Sequence, residues 1–82
     1  MTYTGTSDSI NINGAINVCI TGTTINTTIE YSPDAGTTWF PLQATVGEDT
    51  VITDDASFNL VLPAGKVRFN GGTDVTVFTS SI

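Results

Sequence analysis

Ser32-Pro33-Asp34-Ala35-Gly36-Thr37-Thr38-Trp39 satisfies the pattern S-x-D-x-G-x-T-W at every fixed position, and its residue types are those of a reversal between two strands. Ser32 and Asp34 carry short side-chain acceptors that can bond backbone N–H groups inside the turn. Gly36 is suited to the positive φ that a reversal needs and that a Cβ resists. Pro33 presets φ near the first corner, and Thr38 and Trp39 open the return strand with a β-branched and an aromatic residue. A turn of this kind uses up its polar groups on its own backbone. Ser32, Asp34, Gly36, Thr38 and Trp39 are therefore expected to be structural residues and not contacts to a substrate or a metal.

Outward from this corner the chain keeps a period of two, the alternation of strands with one buried face. Upstream, Ile25, Thr27, Ile29 and Tyr31 alternate with Asn26, Thr28 and Glu30. Downstream, residues 38–43 carry Trp39, Phe40 and Leu42, and Pro41 among them cannot donate to a ladder, which puts this strand at a sheet edge or breaks it. Residues 9–13 and 16–21 form two further strands, with Asn13-Gly14 suggesting a hairpin between them. A two-residue loop would oppose Ile12 with Ala15, whereas the three-residue loop Asn13-Gly14-Ala15 opposes Ile12 with Ile16 and Ile10 with Val18. Register thus favours the longer turn with a Gly bulge, provided the two strands share a sheet. After Asp54-Asp55, residues 57–62 alternate Phe58, Leu60 and Leu62. Pro63-Ala64-Gly65 is expected to turn the chain, residues 66–70 then place Val67 and Phe69 inward, and Gly71-Gly72 turns it into 74–80 with Val75 and Val77.

No helical stripe is visible. The predicted fold is all-β, a small antiparallel β-sandwich or jelly-roll-like barrel of about eight short strands. It occupies residues 10–82 as a single domain, preceded by an N-terminal arm, 1–9, without strong structure of its own. The expected core is Ile10, Ile12, Ile16, Val18, Ile20, Ile25, Ile29, Trp39, Leu42, Phe58, Leu60, Leu62, Val67, Phe69, Val75 and Val77.

Composition narrows the function. A chain of 82 residues buries a smaller share of its surface than a larger domain does, so stability is expected to lean on a partner or on self-association. Apolar residues make up 39% and charged residues 12%, which is not the low-hydrophobicity, high-charge profile of disorder. Eight acidic residues face only Lys66 and Arg68, for a net charge of −6. Nucleic acid is excluded by the lack of cations to neutralise phosphates, and anionic membrane surfaces by the same sign. Apolar runs are too short to span a bilayer, and the first residues have neither a basic nor an apolar leader segment. Cys19 is the only cysteine and His is absent, so an intrachain disulfide cannot form and the thiol has no imidazole base to activate it.

The eight-residue pattern looks like an Asp-box, a motif that recurs in sialidases as a folding device away from the chemistry. With Gly14-Ala15-Ile16-Asn17-Val18, Ile20-Thr21-Gly22-Thr23, Thr28-Ile29-Glu30-Tyr31, Lys66-Val67-Arg68-Phe69, Gly71-Gly72 and Val75-Thr76-Val77, it resembles small Asp-box-containing β-sandwich virion proteins of tailed bacteriophages, of the capsid decoration or cement type. The resemblance spans most of residues 14–78, and the acidic stretch 46–57 is longer than it leads one to expect. It implies a non-enzymatic structural protein that binds the outer surface of the major capsid shell and stabilises it. The implied partners are the major capsid protein and further copies of the chain. The implied location is the virion surface, after assembly in the host cytoplasm.

Candidate contact residues are Tyr3, Tyr31, Phe40, Glu48 and Asp49. The aromatics are not demanded by the core and would cover a subunit interface or, in the alternative reading of a tail or fibre module, stack on host-surface glycans. Glu48, Asp49, Asp54 and Asp55 could offer oxygen ligands to a cation, but their spacing follows no calcium loop, and neither a metal nor a cofactor is expected. No nucleophile has a supporting base and no glycine-rich phosphate loop opens a helix, so no catalytic residues are assigned.

Overall fold

A computed structural model describes residues 1–43 and 45–82. The chain is all-β, as expected, with strands β1 Thr2–Tyr3, β2 Ile10–Thr24, β3 Thr27–Ser32, β4 Phe40–Pro41, β5 Val51–Ile52, β6 Ala56–Asn70 and β7 Thr73–Ser81. These seven form one antiparallel sheet in the order β1-β7-β2-β6-β3-β4, with β5 also pairing β3. No helix among the described residues is long and apolar enough to cross a membrane.

The expected hairpin at Asn13-Gly14-Ala15 does not form. Residues 9–13 and 16–21 belong to β2, a single strand of 15 residues. The expected turn at Pro63-Ala64-Gly65 is likewise absorbed into β6, also 15 residues long. Both departures have one cause. Ile12 pairs with Gly65 and Gly14 with Leu62, so Asn13 alone stands against Pro63 and Ala64. This β-bulge accommodates a proline within a paired strand, as such irregularities do, and a bulged strand bends there. The extra residue also flips the alternation of β6, so that Phe58, Leu60 and Leu62 before it face the same way as Val67 and Phe69 after it.

Gly65 is required by a close approach. A Cβ there would overlap the Ser32 carbonyl oxygen and lie 2.7 Å from Tyr31 Cε1. Tyr31 packs across the gap and donates its hydroxyl to the carbonyls of Ala64, at 3.1 Å, and Pro63, at 3.3 Å.

The buried apolar residues are Tyr3, Ile12, Val18, Ile20, Ile25, Ile29, Val67, Phe69, Val75 and Val77, with Ile10, Ile16, Leu42, Phe58, Leu60 and Leu62 packed against them. Trp39 is the one expected core residue outside this cluster. Tyr3 joins it unexpectedly, because residues 1–9 are not a free arm. β1 pairs with the outer edge of β7, setting Tyr3 against Val75. Residues 5–7 then cross to the end of β6: the Ser7 N–H donates to Phe69 O at 2.8 Å, Gly71 N–H to Gly5 O at 2.6 Å, and Thr6 bridges Asn70. The segment thereby stitches β7 to β6 and rolls the sheet around its apolar side.

Polar groups inside are satisfied. The fully buried Thr27 donates to Gly71 O at 2.9 Å, and the Tyr3 hydroxyl bonds both that carbonyl and Thr27 Oγ1 at 2.9 Å. Burial pushes the Tyr3 phenol above its ordinary 10.0, since the phenolate loses hydration there. Ser7 Oγ, also buried, accepts the Phe69 N–H at 2.8 Å.

Candidate functional site

Strand β3 delivers Ser32, the first residue of the box, fully buried at its end. The Ser32 hydroxyl donates to Asp34 Oδ1 at 2.8 Å and accepts the Gly36 N–H at 2.8 Å. The same Oδ1 accepts the Thr38 N–H at 2.7 Å. Donation by the Thr38 backbone, then by Ser32, holds the Asp34 carboxyl down at about 2, against an ordinary 3.8, because both bonds favour the charged form. Gly36 adopts φ 95°, and Ala35 precedes it at φ 62°. Sequence signals the first and not the second, because an alanine carries no mark of left-handed backbone. These contacts are internal to the turn.

The box folds over the outer face of the sheet, opposite the core. The Trp39 ring lies there with the Arg68 guanidinium carbon 4.2 Å from its centroid. Arg68 Nε donates to Glu30 Oε1 at 2.7 Å, a directly opposed pair on β6 and β3. Trp39 was expected inside together with Leu42, but an odd and an even position on one strand face opposite ways. Leu42 takes the core side, and Trp39 covers an arginine. Lys66 lies two residues before Arg68 on the same face and donates to Asn11 Oδ1 at 3.2 Å, so the chain's only two cationic side chains share one patch.

Of the candidate contact residues, Tyr31 and Phe40 come together as a cross-strand pair, and the five do not form one surface. Tyr3 is 8% exposed and is a core residue, since β1 inserts beside β7. Tyr31 is half-buried with its hydroxyl committed to the bulge carbonyls, whereas Phe40, directly opposite it in the β3–β4 pair, is 54% exposed. Glu48 and Asp49 lie in an exposed loop between β4 and β5, where Gln43 Nε2 donates to Asp49 Oδ1 at 2.8 Å and Gln43 Oε1 accepts the Gly47 N–H at 2.9 Å. Asp54 and Asp55 line a separate cleft of about 410 Å³ with Gly22, Thr23, Ile25 and Thr53. Among the described residues no three acidic, cysteine or histidine side chains gather in a group that could hold a metal ion. Cys19 is half-buried on the outer face, its thiol 3.2 Å from Asn17 Oδ1 and 3.3 Å from Ser57 Oγ.

What the surface offers is apolar contact. Phe40, Val46, Val51, Val61, Phe78 and Ile82 are all exposed. Comparison with models of protein families, with curated proteins and with solved structures finds no match to this chain.

Proposed function

We propose that this chain is a non-enzymatic structural protein of a tailed-phage virion, a decoration protein that binds the outside of the major capsid shell and stabilises it. The observation that carries the reading is the distribution of apolar surface. Large side chains such as Phe40, Val61 and Phe78 stand exposed on a domain whose one recognisable motif spends its polar groups on its own turn. Apolar groups spread over a small domain suit contact with neighbouring protein subunits. The phage-like strand and turn pattern supplies the particular neighbour, the major capsid protein. A net charge of −6 suits the outer surface of a shell better than the side that faces packaged DNA.

Immunogold labelling of purified virions, with mass spectrometry of their proteins, tests the proposal. Label over the whole capsid is the expected result, and label confined to a tail tip, or absence from virions, overturns it. One observation favours a second reading, a tail or fibre module that binds host-surface glycans: Phe40 and Tyr31 are adjacent aromatics at a sheet edge. Glycan-array binding that Phe40→Ala abolishes at unchanged stability would support that reading.

A further inference from the structure

We propose that β7 is a pairing edge for a second copy of this chain, the two β7 strands running antiparallel about a two-fold axis at Ser80. The proposal specifies the self-association raised above. It draws on edge geometry alone, so it can fail while the capsid reading stands, and the reverse.

β1 covers the outer edge of β7 only as far as Val77, whose carbonyl accepts the Met1 amino group at 2.8 Å and whose N–H donates to Met1 O at 2.8 Å. Ile82 N–H donates the other way, to Ala15 O of β2, at 3.3 Å. Alternation along the strand therefore commits Phe78, Ser80 and Ile82 to β2 and turns the N–H and C=O of Thr79 and Ser81 outward. No strand among the described residues pairs with them there. The opposite edge of the sheet is blunted by Pro41 and by the two-residue strands β4 and β5. The β7 edge has no such guard: residues 75–82 contain no proline, glycine or charged side chain, the devices that discourage strand addition.

The edge is complementary to itself. Centring the pair on Ser80 sets Thr79 against Ser81 of the second copy, so the outward groups on each side meet and close the ladder. The same register puts Phe78, 61% exposed, opposite Ile82, 70% exposed, on one face. A shift of one residue would set outward groups against committed ones, and a shift toward Val77 meets β1. Charge is compatible with this register, because residues 75–82 bring no acidic side chain of one copy against another. Each copy still carries −6, and salt should therefore tighten the pair. The pairing is short beside the about 1,200–2,000 Å² of a standard stable interface, so a reversible, concentration-dependent dimer is expected.

Sedimentation of the full chain over a concentration series, with two substitutions, tests the proposal. Ser80→Lys puts like charges together at the axis and should raise the dimer dissociation constant about tenfold or more at an unchanged circular dichroism spectrum. In a Cys19→Ser background, Ser80→Cys should cross-link under mild oxidation, because non-hydrogen-bonded partners sit about 4.5 Å apart at Cα, within disulfide reach. A Thr53→Cys control should not. A native chain that stays monomeric up to its solubility limit overturns the proposal. So does a Ser80→Lys dimer as tight as the native one, or Ser80→Cys cross-linking no faster than the control.

Discussion

Two donors on one carboxylate oxygen determine how the turn at residues 32–39 responds to acid. The Asp34 carboxyl is held at about 2 in the folded chain against an ordinary 3.8. Its contribution to stability is therefore fully present above pH 3.8 and is lost as pH falls through 2, the direction required when the folded state binds the proton less readily. A carboxyl-detected NMR titration should place the Asp34 midpoint near 2, and Ser32→Ala should raise it by removing one donor. The same substitution strips the Gly36 N–H of its acceptor beside a buried position, at a cost of about 1–3 kcal/mol in chemical denaturation. A native midpoint at the ordinary carboxylate value would mean that the turn is not closed as described. Trp39 makes a second case. Because the indole lies over Arg68 on the outer face, Trp39→Ala should cost about 1–2 kcal/mol, whereas Phe69→Ala in the core should cost about 3–5 kcal/mol. Equal losses in parallel melts would place the ring in the core after all.

At the scale of strands, the bulge between β2 and β6 is where reading a sequence and folding it part company. Asn13-Gly14 and Pro63-Ala64-Gly65 carry the residue types of turns, and local sequence predicts a separate corner at each. In the structure the two stretches face each other across one corner, where the same residue types serve bending and close approach. The alternation held the better clue. Ile10, Ile12, Ile16, Val18 and Ile20 keep even spacing straight through Asn13-Gly14, as one unbroken strand does, while the apolar positions of β6 switch from even to odd across Pro63-Ala64, as a bulge of one residue requires. The box residues, the edge position of Pro41 and nearly all of the core were legible because each is a local or periodic property. The place of Tyr3 was not, since two strand residues next to a glycine say nothing of a partner more than seventy positions away. Gly65→Ala tests the corner: overlap with Ser32 O and Tyr31 should cost about 1–3 kcal/mol and lower the melting temperature. A neutral result would show that the strands can part there without loss.

For the molecule as a whole, the first nine residues decide whether the sheet closes. Removing residues 1–8 strips Tyr3 from the core and bares the edge of β7 and the end of β6, so the shortened chain should lose its cooperative melt by circular dichroism. An unchanged transition would return the segment to the status of an arm. Closure also bears on the pace of folding. The hydrogen bonds between Met1 and Val77 join positions 76 apart in sequence, and Tyr3 finds Val75 from nearly as far. β1 and β7 can pair only after nearly all the strands between them have been gathered. Contacts of such high sequence separation make for slow folding, because the loop between them must be closed before they form. Until that seam forms, the outer edge of β7 stays bare along its whole length, open to any other strand that reaches it first.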